Sequence, residues 1–203
     1  HPVFSPHFLS PASAGDTIEV IGAVGRSVTL RSRSAVTDAD AAFWNFGNAP
    51  IVTVPLKGSS QPFFRQEEFK THFTVSERGR ALRISQLSME DAGTYTLTIG
   101  IKTSTFTLQV YKELAELRVT CEAQNCSDGS CSFSLRCSLP DADFGNVSYI
   151  WRKWDQPWDE GSGVLLVVNK SSLDEPEPVT CTARNAVSSR NVTVTTPGVL
   201  CSG

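Results

Sequence analysis

The sequence predicts an all-β protein made of two tandem antiparallel sandwiches, and three observations support this fold class. Short stretches in which apolar and polar residues alternate recur along the chain, with turn residues between them. No stretch keeps a helical apolar stripe for three turns. All six cysteines and all four Asn-x-Ser/Thr sequons follow residue 120, so the two halves of the 203-residue chain differ. Two domains of ordinary size account for this division.

Composition excludes several classes of protein. With 40% hydrophobic residues and a net charge of −3, the chain can form a packed core, and the lack of a Lys/Arg run argues against nucleic acid or anionic membrane as partners. The longest aliphatic run, residues 164–168, is too short to span a membrane, and no signal peptide begins the chain. The clustered cysteines indicate an oxidising compartment. We therefore interpret the chain as a mature extracellular portion, at the cell surface or secreted.

Candidate strands of four to eight residues occur at the spacing of a sandwich. Residues 1–14 carry three prolines and no periodicity, which is typical of a loose terminus or an extended edge. The first half then offers strands at 27–33, 42–46, 51–54, 69–75, 81–84, 94–101 and 105–111. The second half offers 117–122, 131–137, 147–153, 164–168, 179–183 and 191–195.

The first half carries the motif Asp91-Ala-Gly-Thr-Tyr95, which is typical of the start of strand F in an immunoglobulin domain. Gly93 permits the tight corner, and the buried Tyr95 is expected to send its hydroxyl back to the corner backbone. Trp44 is placed as the core tryptophan of strand C. The positions of the usual inter-sheet disulfide fall at Leu97 and near Ser32, so packing must replace the roughly 2–4 kcal/mol that such a bond contributes.

The second half supplies the order Cys137, Trp151, Cys181, which matches strands B, C and F of a short constant-type sandwich. The sandwich interpretation predicts the disulfide Cys137–Cys181 first. It then pairs Cys131, at the other end of its strand, with Cys201, which follows strand G. Cys121 and Cys126 remain as a third pair around a small loop. Six cysteines allow fifteen connectivities, so these pairings depend on the sandwich interpretation.

Together these features resemble the SLAM family of leukocyte receptors, a branch of the immunoglobulin superfamily. The resemblance rests on seven stretches and on Cys201 at the end: residues 25–30 (GRSVTL), 82–87 (LRISQL), 89–95 (MEDAGTY), 108–114 (LQVYKEL), 131–137 (Cys-x5-Cys), 146–151 (NVSYIW) and 181–188 (CTARNAVS). It implies a V-type domain without an inter-sheet disulfide at 15–111 and a C2-type domain with disulfides at 112–203. The segment from Phe69 and Lys70 is similar to the family's GPI-anchored, ligand-type member, and a viral homologue is the alternative.

Two features depart from the family pattern. The Cys121/Cys126 pair is additional, so its pairing is an inference of this sequence alone. Variable-type domains often place an Arg at the start of strand D to pair with the strand-F Asp, whereas this chain has Lys70-Thr71-His72. We hypothesise that His72 is the partner of Asp91.

Catalysis has little support in the sequence. No H-E-x-x-H, C-x-x-C, G-x-S-x-G or phosphate-binding glycine loop is present, and two of the three histidines lie in the first seven residues. We therefore predict no enzyme activity, no cofactor, no metal and no small-molecule substrate. Carboxylates in the segment that carries Trp154 and Trp158 are interpreted as a solvated loop, with a carbohydrate-binding site as the alternative.

The resemblance implies that partners bind the outward face of the sheet carrying strands C, C′, F and G. Outward Phe43, together with Phe63 or Phe64, could supply aromatic anchors among polar neighbours, unless one or both edge phenylalanines fold inward. No sequon precedes residue 125, which leaves this face free of predicted glycan. The predicted partner-binding residues are Phe43, Asn45, Thr53, Lys57, Phe63, Arg65, Thr96, Thr98, Lys102, Thr105 and Thr107.

These features predict a cell-surface adhesion or co-stimulatory receptor, or its ligand, that binds another immunoglobulin-family receptor homophilically or heterophilically. A soluble or virus-encoded decoy of such a receptor is the alternative, and a carbohydrate-binding sandwich is a third. N-linked glycans are expected at Asn125, Asn146, Asn169 and Asn191.

Overall fold

The computed structural model describes residues 17–34, 38–58, 61–153, 156–161, 165–171 and 178–201. For 156–161 and 165–171 it describes the backbone alone. The chain divides into two compact units between Val110 and Tyr111. The outer limits that the sequence predicts for the two domains, residues 15 and 203, lie outside the described residues.

The first unit is a two-layered antiparallel sandwich. Its strands are β1 (Thr17–Ala23), β2 (Val28–Arg31), β3 (Ala41–Phe46), β4 (Ala49–Pro55), β5 (Phe63–Phe64), β6 (Phe73–Ser76), β7 (Ala81–Ile84), β8 (Gly93–Ile99) and β9 (Lys102–Tyr111). One sheet has the order β1-β9-β8-β3-β4-β5 and the other the order β2-β7-β6. This order confirms the predicted V-type sandwich, in which β3, β4, β8 and β9 are strands C, C′, F and G.

The core of the first unit lies between the two sheets because each strand alternates inward apolar residues with outward polar ones. Leu30 and Leu82 from one sheet meet Trp44, Leu97 and Phe106 from the other, and all five side chains are almost fully buried. The rings of Trp44 and Phe106 lie 5.5 Å apart. Burial of this kind contributes about 1.5–3 kcal/mol for each large apolar side chain.

The second unit is also a sandwich. Its strands are β10 (Arg118–Ser127), β11 (Ser130–Ser138), β12 (Ser148–Lys153), β13 (Gln156–Gly161), β14 (Leu165–Ser171), β15 (Val179–Arg184) and β16 (Ser189–Val194). One sheet has the order β10-β11-β14 and the other β13-β12-β15-β16. Trp151 lies opposite Cys181 in the ladder and is fully buried with Leu135 and Cys137. The predicted C2-type arrangement is confirmed.

All six cysteines are paired, but only one predicted pair matches the structure. The disulfide Cys137–Cys181 forms as predicted. The predicted pairs Cys131–Cys201 and Cys121–Cys126 are wrong, because the structure joins Cys121 to Cys201 and Cys126 to Cys131.

The length of β10 explains this correction. The sequence predicts a strand that ends at residue 122, whereas β10 continues to Ser127 and pairs with β11 up to the turn. Cys121 and Cys126 therefore lie five residues apart on one extended strand, which separates them by about 16 Å and prevents a disulfide. The hairpin register places Cys126 directly opposite Cys131, with 4.1 Å between the Cα atoms. Cys121 reaches Cys201 in the short helix α2 (Pro197–Cys201) instead.

The segment at 69–75 also differs from its prediction as a single strand. Phe69–His72 forms the one-turn helix α1, and β6 begins at Phe73. Amide groups of Phe69 and Lys70 donate to the carbonyls of Gln66 and Glu67, so the chain is already turning before the helix. Gln, Glu and Lys favour helical backbone. No residue of α1 is buried, and β6 begins at the buried Phe73.

Candidate functional site

The six-stranded sheet of the first unit brings most of the predicted partner-binding residues onto one face. We call this outward surface of β3, β4, β5, β8 and β9 the front face. Its members, which are exposed or half-buried, are Phe43, Asn45, Thr53, Phe63, Thr96, Thr98, Thr105 and Thr107.

Strand pairing arranges these residues in rows across the sheet. Phe43 on β3 lies directly opposite Thr53 on β4 and Thr98 on β8, and Thr53 lies opposite Phe63 on β5. One continuous row therefore crosses four strands. Directly opposite side chains in antiparallel strands are about 4.5–5.5 Å apart, so members of the row are contact neighbours.

Asn45 opens a second row. It lies opposite Thr96 on β8, which in turn lies opposite Thr105 on β9. Thr107 lies opposite Thr94 one step further along the same two strands. Threonine is well suited to such a surface, because its branched side chain favours strands while its hydroxyl remains available for hydrogen bonds.

The two exposed phenylalanines border a shallow depression of about 500 Å³ on the front face. Phe43 is 45% exposed and Phe63 is 63% exposed, whereas Phe64 packs against the core. The lining residues are Phe43, Asn45, Pro50, Val52, Thr53, Phe63, Arg65 and Thr98. One edge phenylalanine is therefore outward and its neighbour inward, which resolves the alternative left open by the sequence. Arg65 is the charged residue among those that line the depression.

Pro50 and Val52 line the depression although the sequence did not indicate them. A β-bulge between Trp44 and Asn45 shifts the register, so Asn45 lies opposite Pro50 rather than Ile51. The bulge adds a residue to one strand and turns the neighbouring side chains. No residue type in this stretch identifies a bulge, so the contribution of Pro50 depends on the folded sheet.

Lys57 and Lys102 lie away from the depression. The Lys57 ammonium is 3.1 Å from a carboxylate oxygen of Asp38 and 3.1 Å from one of Asp40. The hydrogen bonds that Lys57 donates to Asp40 and then to Asp38 raise the pKa of Lys57. These contacts tie the side chain to the loop that carries the two aspartates. Lys102 is exposed at the start of β9.

Hydrogen bonds to Asp91 close the corner that precedes β8. Tyr95 donates its hydroxyl to the carbonyl oxygen of Asp91 over 2.6 Å, as the motif predicts. Burial, together with the nearby Asp91 carboxylate, raises the pKa of Tyr95, so the phenol remains a donor. His72 Nε2 lies 2.7 Å from Asp91 Oδ1 and donates to it, because a carboxylate oxygen only accepts. The predicted partner of Asp91 is confirmed.

A polar contact takes the place of the missing inter-sheet disulfide. The hydroxyls of Ser32, next to β2, and Ser104, on β9, lie 2.9 Å apart, and both residues are buried. Leu97 lies opposite Ser104 in the ladder and is almost fully buried. The sequence predicted packing alone at this position, whereas the structure adds a hydrogen bond between the sheets. A second link joins Trp44 Nε1 to the carbonyl oxygen of Gly79 over 2.7 Å.

In the second unit, Asn185 organises the first residues of the domain, a role the sequence did not indicate. Its amide nitrogen donates to the carbonyl oxygens of Lys112 and Phe144 over 2.8 and 2.9 Å. Its amide oxygen accepts from the backbone nitrogens of Val187 and Ser188. A buried Asn with both ends of its amide engaged fixes the segment from Lys112 to one edge of this sandwich.

Exposure can be stated for three of the four predicted glycan acceptors. Asn125, Asn146 and Asn191 are exposed, while Asn169 lies where only the backbone is described. The carbohydrate site suggested for the second domain lies outside what the structure describes. Trp154 and Asp155 are not among the described residues. For Trp158, Asp159 and Glu160 the structure describes the backbone alone.

Comparison with known proteins identifies the class. The family model of the immunoglobulin V-set domain matches residues 16–120, just over half of the chain. The CD2-binding domain of CD58 aligns with a TM-score of 0.61 at 15% identity, over 88% of this chain and 96% of that one. Murine CEACAM1b aligns with a TM-score of 0.64 at 17% identity, over 89% and 98%. At such identities these structures show the fold alone. The chain is thus an immunoglobulin-superfamily protein whose first unit is a V-set domain.

Curated relatives narrow the assignment. SLAM family member 7 of Homo sapiens is 28% identical over 186 residues, covering 87% of this chain and 54% of the relative. T-lymphocyte surface antigen Ly-9 of Homo sapiens is 32% identical over 192 residues, covering 87% and 29%. Within the immunoglobulin superfamily, the chain belongs to the SLAM family. It spans about half the length of the first of these relatives and less of the second. Among the described residues, no helix has the length and apolarity to cross a membrane.

Proposed function

We propose that this chain is the recognition portion of a cell-surface adhesion or co-stimulatory receptor, or of its ligand, and that it binds another immunoglobulin-superfamily receptor through the front face. Membership of the SLAM family supports the general role. The observation that carries the choice of face is the row Phe63, Thr53, Phe43, Thr98, in which two exposed aromatic rings flank a threonine.

The chemistry of the row suits a protein partner. Exposed aromatic side chains bury much area with little loss of rotamer entropy, and they dominate the energetics of many interfaces. The threonines and Asn45 offer hydrogen bonds around them, and Arg65 offers one positive charge at the rim of the depression. A shallow, largely uncharged surface of this kind gives contacts of modest affinity. Many copies on opposed cells then supply avidity.

The opposite face of the same unit provides a reference surface. The sheet β2-β7-β6 turns Thr29, Thr74 and Arg83 outward, and all three are exposed. That surface has hydroxyls and a charge, but its large apolar residues, such as Leu30, Leu82 and Ile84, are buried. Aromatic anchors therefore distinguish the front face from this surface.

Surface plasmon resonance against a panel of SLAM-family ectodomains, with this chain itself included, tests the proposal. Phe43→Ala should weaken binding to the recognised partner by about tenfold or more, since an interface anchor contributes about 2 kcal/mol. Thr98→Arg should abolish binding, because a long charged side chain would fill the row beside Phe43.

Two matched controls separate loss of the face from loss of the fold. Met89→Ala removes a side chain exposed to the same 45% as Phe43 but located in the turn before β8. Thr74→Arg places the same new charge on the outward face of β6. Both variants should bind like the unchanged chain. Equal binding by Phe43→Ala, Thr98→Arg and the unchanged chain would refute the assignment of the face.

The same panel decides between self-association and a different partner, which the proposal leaves open. A soluble or virus-encoded decoy would use the same face, so binding data do not separate it from a receptor. A membrane anchor in the full-length protein would identify a receptor or its membrane-bound ligand. The prediction that the chain is not an enzyme stays a prediction.

A further inference from the structure

The tip of the β10–β11 hairpin carries both a disulfide and a glycosylation sequon, and Cys126 belongs to both. Ser127 pairs with Ser130 across a two-residue turn of Asp128 and Gly129, whose φ angles are +50° and +79°. Positive φ at both positions is the type I′ geometry that matches the twist of the flanking strands. The next pair in the ladder is Cys126 and Cys131, which form a disulfide. The tip is built from residues close in sequence, and its disulfide joins cysteines only five residues apart.

The sequon Asn125-Cys126-Ser127 lies inside this tip. Asn125 pairs with Ser132, and the middle residue of the sequon is the cysteine that is bonded across the hairpin. All three residues of the sequon are exposed, so the closed fold does not bury the acceptor amide. Exposure is therefore not what limits modification at Asn125.

The geometry of the backbone limits N-glycosylation at Asn125. The sequon requires Asn and Ser or Thr two positions apart, which indicates that the transferring enzyme reads both side chains on one bound peptide segment. In β10 the segment is extended, and the acceptor amide and the Ser127 hydroxyl originate about 6–7 Å apart. To be reshaped in an enzyme cleft the segment must leave β11. The bond from Cys126 to Cys131 prevents that departure.

We propose that closure of the Cys126–Cys131 disulfide ends the period in which Asn125 can be N-glycosylated, so that the two modifications compete in time. Chains that receive the glycan first can still close the hairpin, because the Asn125 side chain is exposed. Chains that close first stay unglycosylated at this position. The protein leaves the secretory pathway as a mixture of two forms that differ in one glycan.

Each modification has a defined chemical balance. In glycosylation, the amide nitrogen of Asn125 bonds to the anomeric carbon of a lipid-linked oligosaccharide and loses a proton. The bond from that carbon to the diphosphate breaks, and the diphosphate leaves with the electron pair. In closure, the thiols of Cys126 and Cys131 give up two protons and two electrons to the disulfide of an oxidised dithiol carrier, which is reduced.

The chain offers a matched control in its own second unit. Asn191-Val192-Thr193 is a sequon on β16, which like β10 is the edge strand of its sheet, and Asn191 is also exposed. Its middle residue is a valine, so no disulfide ties it to the neighbouring strand. Asn146, in the segment before β12, is a further reference.

The test is glycopeptide mass spectrometry of the whole chain, secreted from animal cells behind an added leader. In the unchanged chain, Asn125 should be partly occupied, and every unglycosylated copy should carry the Cys126–Cys131 bond. Cys131→Ser keeps the sequon intact and removes the bond, so the occupied fraction at Asn125 should rise. Occupancy at Asn191 and Asn146 should stay the same. Ser127→Ala should abolish the glycan and leave the disulfide formed in all copies.

A second measurement keeps the test independent of the folding of the variant. Brief addition of dithiothreitol during synthesis should raise occupancy at Asn125 in the unchanged chain and leave it unaltered in Cys131→Ser. Full occupancy in the unchanged chain, or equal occupancy in the unchanged chain and Cys131→Ser, would overturn the proposal. So would a complete absence of glycan at Asn125 in both.

Discussion

The two sandwiches hold their sheets together by different means around the same central tryptophan. In the second unit, Trp151 lies opposite Cys181, whose disulfide to Cys137 joins the two sheets covalently. In the first unit, Trp44 lies opposite Leu97, and the link between the sheets consists of hydrogen bonds. A disulfide joins two sheets even where a buried polar group near it lacks a partner. A link made of hydrogen bonds stabilises the fold only when its buried donors and acceptors are paired.

The indole nitrogens show this difference directly. Trp44 Nε1 donates to the carbonyl oxygen of Gly79, in the turn between β6 and β7. Trp151 Nε1 is buried and has no hydrogen-bond partner within the described part of the chain. Gly79 has φ +81°, and a Cβ there would lie 2.8 Å from the Cβ of Ala42, so only glycine allows this approach. In the first unit, the Gly79 carbonyl thus provides a second link between the sheets, beside the Ser32–Ser104 contact.

The largest expected effect comes from removing the staple of the second unit. Cys137→Ala with Cys181→Ala should lower the free energy of unfolding of this unit by about 4 kcal/mol, the value for a disulfide with this separation of 44 residues. Hydrogen–deuterium exchange measured by peptide should show faster exchange in β11, β12 and β15. Exchange in β3 and β8 of the first unit serves as the internal control and should not change. Slower or equal exchange throughout the second unit would contradict the comparison.

The next largest effect is a difference in stability cost between Trp44→Phe and Trp151→Phe. Trp44→Phe should destabilise the first unit by about 3 kcal/mol, because it removes ring volume and leaves the Gly79 carbonyl without its donor. Trp151→Phe removes the same ring volume but no hydrogen bond to a described residue, so its cost should be smaller by about 1–2 kcal/mol. Denaturant unfolding of both variants, monitored by hydrogen–deuterium exchange in each unit, measures the loss in free energy of unfolding for each variant. Equal costs would show that the hydrogen bond of Trp44 adds nothing.

A smaller effect is expected at the corner of the first unit. His72→Ala removes the donor to Asp91 and should cost about 1–2 kcal/mol, since both side chains are partly buried. His72→Arg keeps a donor at the position where related domains carry an arginine and should restore most of that loss. Thermal unfolding of the two variants and of Asp91→Asn makes the comparison. If His72→Arg is as unstable as His72→Ala, then the side chain contributes by packing on Phe73 rather than by pairing.

The smallest effect concerns the hydrogen bond that lies where a disulfide usually does. Ser32→Ala should cost about 1 kcal/mol, because it leaves the buried hydroxyl of Ser104 without this partner. Ser32→Ala with Ser104→Ala should cost less than the sum of the two single changes, since no hydroxyl is then left unpaired. A double-mutant cycle by denaturant unfolding measures the coupling. Additive costs would show that the two hydroxyls do not interact.

Much of the fold was predictable from local sequence. Alternation indicated seven of the nine strands described in the first unit but missed β1 and β5. The Asp91-to-Tyr95 motif predicted the corner hydrogen bond that the structure contains. The pairing of His72 with Asp91 followed from the position at which related domains carry an arginine. These features depend on residues within one turn or on a face set by period-2 alternation, which a sequence displays directly.

The wrong disulfide pairs follow from a predicted strand that is shorter than β10. The dipeptide Asp128-Gly129 is a strong hairpin signal and would have placed Cys126 opposite Cys131. The predicted strand instead ends at residue 122, before Cys126 is reached. The strand from Gln156 was likewise read as a turn, although it forms an edge of the second sandwich.

By itself, the sequence determined the class of fold, the absence of an inter-sheet disulfide in the first unit, and which residues of β3, β4, β8 and β9 point outward on the front face. All of these follow from residue identity and from the two-residue period of a strand. Only the tertiary structure decided the bulge that brings Pro50 to the depression, the outward and inward turns of Phe63 and Phe64, and the disulfide between Cys121 and Cys201. Register and strand length settle these features, and both depend on pairing between distant segments of the chain.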